Sequence, residues 1–217
     1  MIIIIPARRG STRLPGKMLV DIHGEPLIWH VANRAKQAGR VIVATDDWNI
    51  GKASGCEHVL TSDCRTGSDR VAQAIGIMGI PDGEIVVNVQ GDEYGMDPDR
   101  IIQCAELTQV TYSWATLGEN QPDGVRVVRD GSLKALYFTR HQIPASLRHV
   151  GIYAAPAGHF RRFSNAPQSE AELAESLEQL RLLHMHEHIT VGTAVGRSGV
   201  SIDTPGDLKR LDLWDRP

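Results

Sequence analysis

A short loop near the start of the chain has the composition of a polyphosphate-binding site. Residues 6–17 read PARRGSTRLPGK, and no acidic residue occurs in residues 1–17. Prolines and glycines bend such a loop and leave backbone N–H groups able to bind phosphate oxygens, which nearby cations then neutralise. The loop supplies the cations Arg8, Arg9, Arg13 and Lys17. Polyphosphate binding is therefore predicted, with a solvated basic turn as the alternative.

The spacing of this loop excludes two common nucleotide-binding motifs. A Walker loop has four residues between its glycines, and Ser or Thr follows its lysine. Here five residues separate Gly10 from Gly16, and Met18 follows Lys17. The G-x-G-x-x-G fingerprint of dinucleotide-binding folds is absent from the sequence as well. The loop is therefore expected to hold a nucleotide in a different way.

Asp92 is a candidate for metal chemistry, and Asp203 has a second reading as a helix cap. Residues 84–89 are rich in β-branched side chains and break off at the sequence QGDE, which places Asp92 beside Gly91. A carboxylate at the end of a central strand, next to a glycine that lets a ligand approach, suits magnesium bridging triphosphate oxygens. Asp203 precedes a Thr-Pro pair, a sequence that caps helices well. From its neighbours alone, Asp203 is predicted to be a helix cap.

The elements around the first loop have the order of a parallel α/β sheet. The isoleucines of residues 2–5 favour a strand buried on both faces, residues 26–38 a helix and residues 40–47 a second strand. Such a βαβ unit places the first loop at the carboxyl end of the sheet, where open α/β folds bind ligands. Asp46 and Asp47 end the second strand and could contact a ligand or cap the next helix.

A second helix start also favours an anion. Residues 56–60 favour a third strand, and a polar loop follows into a helix predicted to run to about Met78. The first turn of this helix offers the N–H groups around Ser68 and contains Arg70, although the helix dipole disfavours a cation there. An anion bound between the two residues would explain the arginine, and a surface arginine is the alternative.

The simple alternation of strands and helices ends in the second half of the chain. Predicted strands are 111–117, 125–130, 133–140, 148–155 and 188–194, and predicted helices are 97–107, 169–183 and one that begins near 201. Within the helix at 169–183, Glu175, Glu178 and Gln179 are predicted to project together, because they lie three and four residues apart. This face could receive sugar hydroxyls, and solvated helix charges are the alternative.

Composition narrows the class of protein. With 217 residues and 41% hydrophobic content, the chain can bury one α/β core, so a single domain is expected. A net charge of −3 gives no general attraction to nucleic acid or anionic membranes. No signal peptide, lipidation motif or transmembrane run is recognised, so a soluble, cytoplasmic protein is expected. The three cysteines show no paired spacing and are expected to be structural thiols.

Seven motifs occur in order along nearly the whole chain. They are ARRGSTRLPGK (7–17), TGSDR (66–70), VNVQGDE (87–93), LYFTR (136–140), RHVGIYA (148–154), LEQLR (177–181) and IDTPGDL (202–208). Together they resemble the motifs of the 3-deoxy-manno-octulosonate cytidylyltransferases, or CMP-Kdo synthetases. The resemblance implies a three-layer α/β nucleotidyltransferase fold with a mostly parallel, Rossmann-like sheet. It divides a single domain, 1–217, into a nucleotide-binding half, 1–110, and a mixed-strand half for acceptor binding and dimerisation, 111–217.

The resemblance also implies a reaction. Members of the family transfer CMP from CTP to the 3-deoxy sugar acid Kdo and release pyrophosphate, which activates the sugar for lipopolysaccharide or other surface glycans. Magnesium is the implied cofactor, CTP and a sugar acid are the implied substrates, and a homodimer is the implied assembly. Positioning and charge neutralisation dominate this kind of transfer.

Roles for individual residues follow from the matched motifs. The implied catalytic residues are Arg8, Arg13 and Lys17, which would hold phosphates, and Asp92 and Asp203, which would hold magnesium. The implied nucleotide contacts are Pro6, Ala7, Arg8, Gly10, Ser11, Arg13, Lys17, Gly67, Ser68, Arg70, Gln90, Gly91 and Asp92. The implied acceptor contacts are Arg140, Arg148, His149, Tyr153, Glu175, Glu178 and Gln179.

Two departures from the family pattern concern the acceptor side. Only HQIPASL lies between Arg140 and Arg148, where the family has a longer connection, and Tyr94 stands where the family has Pro after QGDE. These departures leave two other functions open. One is a sister enzyme that activates a different sugar acid, such as an amino-sugar acid, or a sugar phosphate. The other is a nucleotide-binding subunit without turnover.

Overall fold

The isoleucine run at the start of the chain forms the centre of the sheet. The structure is a computed structural model that describes residues 1–214, with side chains described through Leu211. Strand β1 (Ile2–Ala7) is buried along its whole length. Ile3 and Ile5 pack into the core on one face and Ile2 and Ile4 into the core on the other, because successive strand side chains point to opposite faces. The predicted two-sided burial of this strand is confirmed.

The described strands that follow β1 are β2 (Asp21–Ile22), β3 (Glu25–Pro26), β4 (Arg40–Thr45), β5 (Glu57–Leu60), β6 (Ile85–Val89), β7 (Glu93–Tyr94), β8 (Trp114–Glu119), β9 (Arg126–Arg129), β10 (Ala135–Thr139), β11 (Leu147–Pro156), β12 (Ile189–Thr193) and β13 (Val200–Ser201). The described α-helices are α1 (Leu27–Ala35), α2 (Trp48–Ala53), α3 (Gly67–Ile77), α4 (Pro98–Thr111), α5 (Ala157–Asn165), α6 (Glu170–Glu175), α7 (Gln179–His184) and α8 (Pro205–Trp214), and a 3₁₀ turn spans Lys17–Leu19.

The main sheet is parallel in the first half of the chain and mixed in the second. Within residues 1–214 it contains nine strands, of which β5, β4, β1 and β6 lie side by side and run parallel. The long strand β11 then pairs antiparallel with β6, β8 and β9, while β12 joins β8 in parallel. The α/β class and its parallel nucleotide-side sheet are confirmed. The functional division at residue 110 stays a prediction.

Helices cover both faces of this sheet and complete three layers. One core contains Val31 of α1, Ile50 of α2 and Ile101 of α4. The opposite core contains side chains of α3, α5 and α7, such as Val71 and Phe160. Burying a large aliphatic or aromatic side chain contributes about 1.5–3 kcal/mol. The two cores therefore hold the carboxyl ends of β1, β4 and β6 in fixed relation, and these strand ends carry the candidate site.

Three predicted elements have wrong boundaries. Helix α4 continues to Thr111 and ends at Tyr112, whose φ of 52° is left-handed, so the strand predicted from 111 begins at Trp114. The single helix predicted at 169–183 is two short helices, because Ser176 also adopts a left-handed φ of 52°. Consequently Glu175, Glu178 and Gln179 do not share one helix face. Among the described residues, no helix is both long enough and apolar enough to cross a membrane.

Candidate active site

A cavity of about 510 Å³ opens at the carboxyl ends of β1 and β6. One wall is the cation loop, which we define as residues 6–17, and the opposite wall comes from residues 168–178. The start of α3 and the aspartates at 92 and 203 complete the lining. The cavity lies at the carboxyl end of the parallel strands, as the βαβ order predicted.

One glycine allows two backbone segments at the cavity to meet. A Cβ atom on Gly91 would lie 2.9 Å from the backbone carbonyl oxygen of Pro6. A contact this short with a backbone atom would force the two segments apart. Glycine at position 91 therefore lets the end of β6 and the end of β1 converge.

The centre of the site is a lysine held between two carboxylates. Lys17 Nζ lies 2.5 Å from Oδ2 of Asp92 and 3.0 Å from Oδ1 of Asp203, and its side chain is only 9% exposed. Burial alone would lower the pKa of the Lys17 amine. The charges and hydrogen bonds of Asp92 and Asp203 outweigh burial and raise the pKa, so Lys17 is a cation. We call Asp92 and Asp203 the carboxylate pair.

Asp203 is held by cations and not by the helix that follows it. Its Oδ1 also lies 2.9 Å from Nη2 of Arg13, an exposed residue of the cation loop. The carboxylate that accepts hydrogen bonds from the backbone N–H groups of Asp203 and Thr204 belongs to Asp207. The Asp203 side chain therefore does not cap the helix, and the helix-cap alternative is wrong.

The start of α3 binds a carboxylate of the protein itself. Glu178 accepts hydrogen bonds from the backbone N–H of Ser68 at 3.0 Å and from its hydroxyl at 2.8 Å. The buried amide of Asn88 donates to the same hydroxyl at 3.1 Å. Burial raises the pKa of Glu178 despite these bonds. An acidic side chain of the protein thus occupies this helix start, and the predicted anion between Ser68 and Arg70 stays a prediction.

Arg70 is neither a surface arginine nor an unpaired ligand group. Its side chain is almost fully buried, contacts the hydroxyl of Thr61 and lies 3.1 Å from Oδ2 of Asp46. It also contributes to the cavity lining. Asp46 in turn accepts a hydrogen bond from the backbone N–H of Arg9, while Asp47 caps α2. Asp46 therefore ties the cation loop to α3.

A buried ion-pair cluster anchors the second wall of the cavity. The fully buried Arg181 donates to Oε1 and Oε2 of Glu172 at 2.5 and 2.8 Å and to Oδ1 and Oδ2 of Asp69 at 3.0 and 3.3 Å. Its guanidinium lies 4.0 Å from the ring centre of Phe163. Asp69 neighbours Ser68 in the first turn of α3. The cluster therefore fixes residues 168–178 against the nucleotide-side helix.

Thirteen of the predicted site residues line the cavity, namely Pro6, Arg8, Gly10, Ser11, Arg13, Lys17, Gly67, Arg70, Gln90, Gly91, Asp92, Glu178 and Asp203. The other predicted residues lie outside its lining, namely Ala7, Ser68, Arg140, Arg148, His149, Tyr153, Glu175 and Gln179. The structure thus brings most of the predicted nucleotide and metal residues together, whereas only one predicted acceptor residue reaches the same cavity.

Two arginines predicted to grip an acceptor bind protein groups instead. Nε of Arg148 donates to Oε1 of Glu119 at 2.7 Å. Arg140 donates to the backbone carbonyls of Glu175 and Ser176 at 2.9 and 3.1 Å. Each would need to leave these partners to hold a sugar carboxylate. Their role as acceptor contacts stays a prediction.

The remaining predicted acceptor residues are buried or engaged. Nε2 of His149 lies 2.9 Å from the hydroxyl of Thr116, and its ring lies tilted beside that of Tyr153 with ring centres 5.3 Å apart. Burial lowers the pKa of His149 to about 3, so the ring is neutral. Gln179 is buried, and Glu175 accepts a hydrogen bond from the hydroxyl of Thr139.

Sequence analysis missed most of the second wall. Its unpredicted lining residues are Gln168, Glu172, Leu173, Ser176 and Leu177. One signal was present, since Ser169 and Glu172 have the S-x-x-E spacing of a capping box, which the structure forms. That box marks the start of a short helix and so brings residues 168–172 to a defined place.

The carboxylate pair fits magnesium by its chemistry. Magnesium is usually bound by one or two carboxylates together with substrate phosphates. Both aspartates already converge on one cationic group, which places their oxygens around a common point. Among the described residues, no group of three or more Asp, Glu, His or Cys side chains could hold a metal. A metal here would need further ligands from a substrate or water.

Comparison with known proteins shows the family to which this sequence is similar. The model of the cytidylyltransferase family matches residues 2–189. The 3-deoxy-manno-octulosonate cytidylyltransferase of Serratia proteamaculans is 42% identical over 97% of this chain and 96% of its own length. This chain belongs to that family. The enzyme of the same name from Photorhabdus laumondii is 44% identical over 96% of each chain.

Solved structures agree with this membership. CMP:2-keto-3-deoxy-manno-octonic acid synthetase complexed with CTP has a TM-score of 0.88 and 35% identity, and the match covers 98% of this family member and 97% of that chain. A cytidylyltransferase from Leptospira borgpetersenii, at TM-score 0.66 and 18% identity, shares the fold.

The family alignments are longer than this chain. They extend over 240 and 239 residues for the two relatives, whereas this chain has 217 residues. The relatives therefore carry residues that have no counterpart here. Between Thr139 and Leu147, the ends of β10 and β11, this family member has only seven residues.

Proposed function

We propose that the protein transfers CMP from CTP to 3-deoxy-manno-octulosonate, or a closely similar sugar acid, and releases pyrophosphate. One observation carries this proposal: the cation loop and the carboxylate pair meet in one cavity at the end of a parallel sheet. Family membership supports the same reaction. The activated sugar would then serve the synthesis of a surface glycan.

The cations of the cavity would hold the triphosphate and its leaving group. Arg8, Arg13 and Lys17 all line the cavity, and each can donate charge-assisted hydrogen bonds to phosphate oxygens. The oxygen of the anomeric hydroxyl would attack the α-phosphorus and lose its proton to water, while the bond from the α-phosphorus to the α,β-bridging oxygen breaks in line and pyrophosphate leaves. Negative charge develops on the leaving pyrophosphate, so fixed cations around it lower the barrier.

Asp92 and Asp203 would hold magnesium when the nucleotide is bound. The ion would supply Lewis-acid polarisation of the phosphate that is attacked. Asp203 reaches the site only because Ile202 is buried and its N–H donates to the carbonyl of Asp92, which joins the two segments. The chain itself therefore determines the spacing of the two carboxylates.

The acceptor would lie towards the second wall of the cavity. Glu178 is the predicted acceptor residue in its lining and could receive sugar hydroxyls once it exchanges its bonds to Ser68. Arg140 and Arg148 would bind the sugar carboxylate after leaving Glu175 and Glu119. These exchanges make acceptor binding weaker than nucleotide binding, and the short connection after Arg140 has the same effect.

An assay of pyrophosphate release tests the proposal. CTP and UTP are each offered with Kdo, with an amino-sugar acid such as N-acetylneuraminic acid, and with a sugar phosphate, in the presence of magnesium. Release with CTP and Kdo, with a raised KM for Kdo and an ordinary one for CTP, is the expected result. Release only with another pair would identify a sister enzyme, and no release with any pair would leave a binding subunit.

A homodimer is the assembly we propose. The edge strand β10 exposes Leu136 and Tyr137 at 54% and 42%, beside a groove lined by Leu180 and Leu183. An exposed apolar strand edge is a surface that pairing with a second copy would cover. Sedimentation equilibrium measures the mass directly, and Tyr137→Lys is expected to shift it towards the monomer.

A cytoplasmic location is likewise proposed, and fractionation of cells would test it.

A further inference from the structure

Lys17 lies where a metal ion would have to bind. Its Nζ contacts one oxygen of Asp92 at 2.5 Å and one oxygen of Asp203 at 3.0 Å. Magnesium bonds oxygen at about 2.1 Å, so an ion on that Asp92 oxygen would lie no more than about 4.6 Å from Nζ. A divalent ion and an ammonium group so close together, in a largely buried place, repel each other strongly.

We propose that Lys17 is an internal cation that occupies the carboxylate pair and excludes a divalent metal until a nucleotide is present. The inference deepens the proposed function and rests on the metal role of Asp92 and Asp203. It also assigns an order of binding: the metal enters with the triphosphate or after it. Lys17 is thus a residue that sets when the metal site becomes available.

The charges of the site explain why a triphosphate would release the lysine. Without a ligand, the two carboxylates face two cations, Lys17 and Arg13, and the local charge is balanced. A divalent ion would replace Lys17 on the pair and leave the ammonium group without a negative partner. Triphosphate supplies that partner, because it brings up to four negative charges into the same cavity. Both cations are then neutralised together.

The structure also allows the movement. Lys17 begins a 3₁₀ turn directly after Gly16, and its Nζ stands at the end of a flexible four-carbon side chain. The cavity adjoins this side chain, with Gly10 and Arg13 on the same wall. Nζ can therefore move from the carboxylates to a phosphate through side-chain rotation, while the backbone of the loop stays in place.

Binding of Mn²⁺ to the nucleotide-free protein tests this inference without any turnover. The concentration of free Mn²⁺ is followed by electron paramagnetic resonance for the wild type, Lys17→Met and Lys17→Gln. Lys17→Arg serves as the charge-conserving variant. Arg8→Met is the matched control, since Arg8 lines the same cavity and, among the described residues, contacts neither aspartate.

The expected result is that Mn²⁺ binds more tightly once the Lys17 side chain is replaced. If Lys17 occupies the pair at least nine-tenths of the time, its removal tightens Mn²⁺ binding by about tenfold or more. Lys17→Gln should show the same gain, Lys17→Arg should stay near the wild type, and Arg8→Met should change by less than about threefold. Mn²⁺ should also raise the melting temperature of Lys17→Met and leave that of the wild type nearly unchanged.

Three outcomes overturn the inference and can be told apart. Equal Mn²⁺ affinity in the wild type and the Lys17 variants means that Lys17 does not block the pair, and the proposed reaction is untouched. An equal gain in Arg8→Met means that net charge alone controls the affinity. No binding in any variant, with or without CTP, removes the metal role of the pair itself, which the assay of pyrophosphate release then examines separately.

Discussion

The buried arginine behind the second cavity wall offers the sharpest test of how the site is held together. Arg181→Met keeps a long apolar side chain against Phe163 and removes the charge that pairs with Asp69 and Glu172. Both carboxylates are almost completely buried, so the substitution leaves two desolvated charges with fewer partners. A large loss of stability is expected.

The loss in free energy of unfolding depends on the partners that Asp69 and Glu172 keep in Arg181→Met. Breaking a buried ion pair by removing one side costs about 3–5 kcal/mol. Asp69 keeps Arg65 at 3.1 Å, and Glu172 keeps the amide of Gln168 at 3.0 Å, which places the loss near the lower end. For a chain of this length about 3 kcal/mol corresponds to a fall of roughly 6–12 °C in Tm.

The loss should depend on pH in a defined direction. Burial raises the pKa of Asp69, but the bonds and charge of Arg181 outweigh burial and hold it below 3.8. In the wild type this stabilisation is complete above the unfolded-state pKa and is lost as the pH falls through the lowered folded-state pKa. In Arg181→Met the buried carboxylate gains a proton more easily. The difference between the two proteins should therefore be largest near neutral pH and shrink below about pH 5.

Urea unfolding at about pH 7 and about pH 4.5 measures these values. The triple variant with Asp69→Asn and Glu172→Gln should recover more than half of the loss, since the unpaired charges are gone. Arg162→Met is the matched control: Arg162 is 54% exposed in its 3.3 Å pair with the half-buried Glu187, and its loss should stay under about 1 kcal/mol. A loss under about 1 kcal/mol in Arg181→Met, or one that is equal at both pH values, would refute the argument.

Three further predictions concern single residues. Arg13→Ala should weaken CTP binding about tenfold to a hundredfold, because a charge-assisted bond to phosphate contributes about 1.5–3 kcal/mol, and calorimetry that finds an unchanged Kd would remove Arg13 from the phosphate site. Asp203→Asn should abolish pyrophosphate release with little change in Tm, whereas full activity would leave any metal to Asp92 alone. Tyr112→Gly should stabilise the protein by about 0.5–1 kcal/mol in urea unfolding, because Tyr112 has a φ of 52° that glycine adopts without strain, and a loss of stability would contradict this account.

Local signals were enough to predict the nucleotide side of the fold. The four successive isoleucines of β1 are removed from water only when both faces of the strand are buried. The β-branched run of β4 follows a helix that is long enough to connect two parallel strands. Asp97 with Pro98 marks the start of α4, and the structure shows Asp97 accepting a hydrogen bond from the N–H of Asp99. These features depend on neighbouring residues, so the sequence displays them directly.

The errors arose where distant parts of the chain decide the outcome. Residues 169–183 consist largely of helix-favouring residues, yet the helix breaks at Ser176. Before the break, the Glu175 side chain accepts a hydrogen bond from Thr139. After it, the Glu178 side chain accepts one from Ser68, so the two halves of the segment are held by different parts of the protein. Helix propensity amounts to a few tenths of a kcal/mol per residue and cannot resist them.

The same limit applies to charged side chains. Arg148 could be assigned to an acceptor carboxylate, but Glu119 lies on the adjacent strand and holds it. Arg70 similarly finds Asp46, 24 residues earlier in the chain. Sequence spacing tells which residues are charged, whereas the register of the strands decides which charges meet. Both pairings became visible only with β11 placed beside β8 and α3 beside β4.

The bond from Lys17 to Asp203 joins residues 186 positions apart. A ribosome adds about 5–20 residues per second, so about 10–40 s pass between the synthesis of the lysine and that of its second carboxylate. During that interval the nascent chain can build β1 and β4, but Lys17 lacks the second of its two carboxylate partners. A chain that stops before Asp203 can therefore be well folded in its first half and still lack the centre of the site. Synthesis of the segment that carries Asp203 is itself the step that creates it.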